Sequence, residues 1–224
     1  MKNTHELEDD LRERWLKSYP DDERKAFCFD GLCYNGEIYN DGKNAHQGNE
    51  EKLWNNTDRR ILFLMKDTNN NSDSDYREWH WRNINHNFFN CIFKWLEGLS
   101  RISKDFIPTM ENGDYAAVPN AVVTKYPLAI VNIKKISGTS FVSNKTLYEY
   151  ANRDKAFLQE QIRGILHPNI IVCGGGKGTV LNIAKNIIYE DESFREINYF
   201  CHYSRKLNIL LIDSFHPSAR INSY

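Results

Sequence analysis

Four short apolar runs limit the folds open to this chain: RILFLMKD at 60–67, LAIVNIKK at 128–135, NIIVCGGG at 169–176 and NILLIDSFHP at 208–217. Each is continuously rich in Ile, Leu and Val, without alternation. A strand with one wet face alternates apolar and polar side chains, so unbroken runs of this length suit strands covered on both faces, as in a parallel sheet. Each run ends in polar or glycine residues, where a strand reaches the surface. Parallel strands need crossovers, and helical patterns fill the gaps. NINHNFFNCIFKWLEGLS sets Phe88, Ile92, Trp95 and Leu99 on one stripe. NKTLYEYANRDKAFLQEQIRGIL does the same with Leu147, Ala151, Leu158, Ile162 and Ile165, before His167-Pro168 stops it. KGTVLNIAKNII follows the third run directly as a shorter helix. The alternating order predicts an α/β chain, a three-layer α/β/α fold around a central, mainly parallel four-stranded sheet.

The 224 residues suit one domain with a full core. Residues 1–59 read as an N-terminal arm packed on it. HELEDDLRERW resembles a solvated helix, and 27–59 is irregular and rich in Gly, Asn and Tyr. NNNSDSD, at 69–75, predicts a polar loop after the first strand.

Twenty-nine basic against thirty acidic residues leave a net charge of −1, so polyanion binding must come from local patches. No apolar run approaches the roughly 18 residues of a membrane span. MKNTHELEDD lacks the apolar stretch of a secretory signal. Both point to a cytoplasmic protein without a membrane partner. The five cysteines are odd in number and scattered, with no CxxC pair, which indicates neither a disulfide framework nor a zinc site. CGGGKGT, at 173–179, fails as a phosphate loop because Gly178 stands where Ser or Thr should follow the lysine. Its glycines suit a tight strand-to-helix turn, and an anion at that turn stays open.

Ligands of open α/β sheets bind beyond the carboxyl ends of the strands, so the four exits carry the functional question. Asp67 leaves the first strand, as a turn cap or as a carboxylate aimed into a cleft. Asn132 interrupts a run that should be buried, and an unpartnered buried amide costs about 1–3 kcal/mol. A backbone loop or a flat heterocycle would satisfy it. His216-Pro217-Ser218 ends the last strand with a ring, a fixed backbone and a hydroxyl, and Arg220 follows.

Taken in order, FLMKDTN, IVNIKK, IVCGGG and DSFHPSAR resemble the motifs of the uracil-DNA glycosylase superfamily over roughly residues 60–220. The resemblance implies a metal-free, cofactor-free hydrolase that cleaves the N-glycosidic bond of uracil or a related damaged base flipped out of DNA. Asp67 would orient or activate water, and His216 would donate to the base oxygen as charge develops there. Asn132 would read the base edge, with Tyr76, Trp79 or Trp81 as an aromatic floor. Ser218, Arg220, Lys134 and Lys135 would contact DNA. A monomer is expected. Met65 and Thr68 replace the Gly and Pro that commonly flank the catalytic position. Two alternatives accompany this reading: a non-catalytic nucleic-acid or nucleobase binder on the same fold, and a hydrolase of small nucleoside-like substrates.

Overall fold

A computed structural model describes residues 2–42, 44–68, 74–78, 87–108, 119–138 and 141–219. The chain opens with α1 (Thr4–Ser18), whose Asn3 cap closes a reciprocal box with Glu6. The short α2 (Asp21–Arg24) and β1 (Cys28–Phe29) follow, then α3 (Glu50–Asn56) and β2 (Ile61–Asp67). Next come β3 (Ser74–Asp75), α4 (Asn87–Arg101), α5 (Pro119–Lys125) and β4 (Ala129–Lys134). Helices α6 (Asn144–Arg153) and α7 (Lys155–Gln159) run into a π-helical stretch, Glu160–Leu166. His167 ends that stretch with a left-handed φ of 46°. The chain closes with β5 (Ile170–Gly174), α8 (Thr179–Ile183) with its π-helical extension to Ile188, β6 (Arg195–Asn198), β7 (Cys201–Ser204) and β8 (Ile209–Ser214).

The protein is a mixed α/β structure. Its main sheet has the order β4-β2-β5-β8-β7-β6 among the described residues. The four strands expected from the apolar runs pair in parallel. The four-stranded expectation needs correction, because β7 and β6 extend the sheet to six strands by antiparallel pairing. Their sequence does not announce them. Every residue of β6 is exposed, and β7 buries only His202 and Ser204, so neither carries an apolar run.

Alternate side chains of the parallel strands enter two apolar clusters. Leu62 and Leu64 of β2, Val131 and Ile133 of β4, and Ile171 and Cys173 of β5 meet Leu11, Trp15, Leu147, Leu158, Ile162 and Val180. Ile61, Phe63 and Met65, with Ile130 and Val172, meet Phe89, Ile92 and Phe93 of α4 and Val122 and Val123 of α5. Covering both faces is what permits runs without alternation. Fully burying one such Leu or Phe is worth about 1.5–3 kcal/mol.

Helix α1 departs from the solvated character expected of HELEDDLRERW. Leu11 and Trp15 are fully buried, and Trp15 stacks on Phe157 with centroids 5.3 Å apart. The 27–33 segment runs antiparallel along the outer edge of β4, through bridges Phe27–Ile136 and Leu32–Ala129. An otherwise open sheet edge is thereby paired.

This packing encloses a polar network. Glu8 is fully buried, accepting from the Leu32 amide at 3.3 Å and the Gln161 amide at 3.3 Å. The Arg77 guanidinium lies 3.7 Å away and also pairs with Asp75 and Asp9. Burial pushes the Glu8 carboxyl up to about 7, against the pull of Arg77 and His5. Unfolded, Glu8 loses its proton near 4.5, so between about pH 4.5 and 7 the folded state binds more protons. Stability therefore declines as pH rises through that window, by on the order of 3 kcal/mol from this group. Urea unfolding from pH 4 to 8 should show a shallower decline in Glu8→Gln than in wild type; equal slopes would refute the assignment.

Candidate functional site

In the order β4-β2-β5-β8, the chain moves from β2 outward to β4 and then back across to β5 and β8. The crevice beyond the carboxyl ends of β2 and β5 is thus the topological switch point, where open α/β sheets bind ligands. Register defines what stands there. Leu64 pairs with Cys173, and Cys173 with Asp213. Asp67 closes β2, while Gly176 and His216 follow the last residues of β5 and β8 by two positions each. Two strand spacings separate the β2 exit from the β8 exit, about 10 Å. The gap suits a small planar group with its attached sugar.

Asp67 sits nine-tenths buried at the left of this crevice. Its carboxylate lies 3.8 Å from Lys134 Nζ, its register partner on β4. Burial raises its pKa, and Lys134 and then Lys66 pull it down. Its Oδ2 is buried without a hydrogen-bond partner. Such an oxygen has lost water without gaining a donor, which is costly unless a ligand or water supplies one. Gly138 makes this arrangement possible: a Cβ there would stand 2.7 Å from Oδ2 and 3.1 Å from Lys134 Nζ.

His216 stands at the right. Its Nδ1 accepts the Ser218 amide N–H at 3.2 Å. Burial lowers its pKa, and the nearby Lys66 ammonium lowers it further. The ring is therefore neutral at pH 7, and an accepting Nδ1 requires the proton on Nε2. The Phe88 ring flanks it, with centroids 5.4 Å apart and planes tilted by 39°. Phe88 reaches this place as the start of the amphipathic α4.

Between them lies the glycine strip. A Cβ on Gly174 would run into the Met65 sulfur and come within 3.6 Å of Pro217, and one on Gly175 would stand 3.3 Å from Lys66 Cε. These contacts place Met65, Lys66, Pro217 and the β5 exit around one crevice. Lys66 acts on both Asp67 and His216 and is the charge common to the two.

Other expected site residues lie elsewhere. The Asn132 amide donates at 2.9 Å to Asp30 Oδ2, which also accepts the Asn132 backbone N–H at 3.0 Å. The partner its burial demanded is thus a carboxylate from the arm, and base reading by that amide group is corrected accordingly. Lys135 is fully buried and paired with Asp30, so it cannot reach a phosphate. Lys134 is 7% exposed and donates to the Ile136 carbonyl beside Asp67, which places it inside the site and not on a DNA-facing surface. Tyr76 follows β3, whose partner β1 lies outside β4. Tyr76 thus belongs with the separate two-stranded sheet beyond the β4 edge, while His216 follows β8 on the other side of β2 and β5. Phe88 holds the position expected of an aromatic floor. Ser218 is exposed, and its amide, not its hydroxyl, orients His216. Trp79, Trp81 and Arg220 lie outside the described residues.

Sequence reasoning missed Phe88 and Asp30. Asp30 had a readable signal: like Asn132, it is a polar residue inside an apolar run, FCFDGLC. Phe88 had none, because a helical stripe residue looks the same whether it fills a core or walls a pocket.

A shallow surface depression of about 570 Å³, lined by Asn35, Gly36, Glu37, Ile38, Gly48, Asn49 and Thr124, lies near the start of β4. It is at the opposite end of the strands from this chemistry. Among the described residues no three or more His, Cys, Asp or Glu side chains cluster as metal ligands would. No described helix is long and apolar enough to cross a membrane.

Fold and site together define a mixed α/β protein with a carboxylate at the β2 exit and a neutral imidazole after the β8 exit, both under the influence of Lys66. No protein-family model matches the chain, and no curated protein matches it.

Proposed function

We propose that this chain is a uracil-DNA glycosylase-like hydrolase in a three-layer α/β/α arrangement, cleaving the bond between a flipped base and its deoxyribose. The observation that carries the reading is the tautomer of His216. Ser218 N–H occupies Nδ1, so Nε2–H is the free donor at the rim. Breaking an N-glycosidic bond leaves negative charge on the base and positive charge on the sugar. A preoriented donor for the first and a carboxylate for the second are what the transition state needs. His216 Nε2–H would supply one and Asp67, at a strand exit two strands away, the other. Water held at the unpartnered Asp67 Oδ2 completes the hydrolysis. The base would leave its stack to enter, with Phe88 beside it.

A second reading, a non-catalytic nucleobase binder, draws on Met65 and Asn132. Met65 fills the space beside Gly174, and Asn132 is engaged by Asp30. Incubation of uracil-containing single- and double-stranded oligonucleotides separates the two. Abasic sites revealed by alkali support the glycosylase; tight binding without them supports the binder.

The pH profile tests the roles. Asp67 must be ionised, and its pKa is raised above the usual 3.8. His216 must be neutral, and its pKa is lowered below 6.5. Turnover should be level around neutrality and fall as pH drops through the interval between those values. Lys134 holds Asp67 in its charged form, so Lys134→Met should move the acid limb to higher pH. An unmoved limb would remove Asp67 from the mechanism.

A further inference from the structure

The β6–β7 hairpin is an addition to the parallel sheet, and its tip carries aromatics into solvent. Tyr199 is 78% exposed, Phe200 49% and Phe215 49%. Exposed large aromatics grouped together mark an interaction surface. Their place in the fold is specific. The Phe200 carbonyl accepts the Asp213 N–H at 2.7 Å, which sets the hairpin tip against the end of β8, three residues before His216. Cys201 pairs with Ile212, so Phe200 is opposite Asp213 and on the same face, with Phe215 two residues further along that face. Tyr199 meets Phe200 edge-to-face with centroids 4.9 Å apart. Phe215 in turn lies 3.8 Å from where a Cβ on Gly176 would be. Phe215 is the residue before His216, so the aromatic group ends next to the proposed base site along the chain.

Cations accompany the row. Lys177 is exposed in the turn after Gly176, Lys66 lines the crevice, and Lys185 is close enough to His202 of β7 to act on its pKa. Exposed aromatics with a lysine beside them suit a strand of alternating bases and phosphates whose bases are already unstacked. A duplex offers no free base faces to such a row.

We propose that Tyr199, Phe200 and Phe215, with Lys177, form a stacking platform for single-stranded DNA that extends from the His216 crevice. The assignment deepens the glycosylase reading by naming an unpaired strand as the substrate, and it rests on that reading for its biological use. Its test does not depend on cleavage. Fluorescence anisotropy would follow a labelled, uracil-free oligothymidylate and a duplex of the same length. Wild type should bind the single strand more tightly than the duplex. Tyr199→Ala and Phe200→Ala should each weaken single-strand binding about tenfold. Phe200→Leu, which keeps an apolar side chain without a π face, should weaken it similarly. Lys177→Ala should lower the salt dependence, with a slope smaller by about 0.7. The probe holds no uracil and the readout is binding alone, so loss of cleavage and loss of the platform are read separately.

Equal affinity for duplex, full binding by Phe200→Leu, or no binding by wild type would each overturn the platform. Sedimentation equilibrium of wild type and Tyr199→Ala/Phe200→Ala supplies the remaining outcome. A dimer that the double variant abolishes would make a second copy of this chain the occupant and overturn the proposal.

Discussion

His216→Ala should lose uracil excision by about 10²–10³-fold, the scale seen when one donor to a developing anion is removed. The expected loss is in kcat, because the hydrogen bond strengthens only as charge moves onto the base. Folding should be nearly unaffected: the ring lies at the rim, held by one backbone amide and a tilted contact with the Phe88 ring. His216→Gln refines the test, since a glutamine amide can donate but has no tautomer for Ser218 to set. Partial rescue would support donation as the role. Single-turnover excision from a uracil-containing oligonucleotide, with circular dichroism as the folding control, reads all of this. An alanine variant as fast as wild type would end the glycosylase proposal.

Lys135→Met should unfold more easily by about 3–5 kcal/mol, the cost of leaving a buried charge unpaired. Lys135 is fully buried and Asp30 is 1% exposed. The ammonium pairs with Asp30, donates to Gln161 Oε1 at 3.3 Å, and lies 4.9 Å above the Trp15 ring. Burial already raises the pKa of Asp30, with Lys135 as the main opposing influence. Removing that influence leaves a carboxylate that must take a proton to stay inside. The melting temperature should fall by roughly 10 °C. Asp30→Asn/Lys135→Met should lose less than Lys135→Met alone, since no charge stays buried, and the double-mutant cycle measures the coupling. The salt dependence of DNA binding should be unchanged in every variant of this set. A changed slope would show that Lys135 reaches phosphate after all.

These two residues mark the boundary of what reading the chain can achieve. His216 was visible because a strand-ending ring followed by Pro and Ser is a local pattern, and local patterns survive in one dimension. Lys134 and Lys135 read as a basic pair at a strand exit. Nothing nearby in sequence reveals that Asp30, about a hundred residues earlier, closes over Lys135. Asn132 is a middle case. Its placement in an apolar run required a buried partner, and two kinds were chemically adequate. The partner proved to be Asp30 on a segment that looked irregular.

The parallel core was legible for a physical reason. Burial on both faces forces continuous Ile, Leu and Val, and that demand is written strand by strand. Strand order, by contrast, is a matter of long-range pairing. It decides that β2 and β5 are neighbours, that the exits bearing Asp67 and His216 are two strands apart, and that Tyr76 follows a strand of a separate two-stranded sheet. The antiparallel β6 and β7 left almost no trace, since exposed edge strands need no apolar run. Amino-acid order alone carried the α/β class, the strand exits and the identity of the residues there. Tertiary packing decided which of those residues meet and which are paired out of reach, because pairing energies act between segments that the chain keeps far apart.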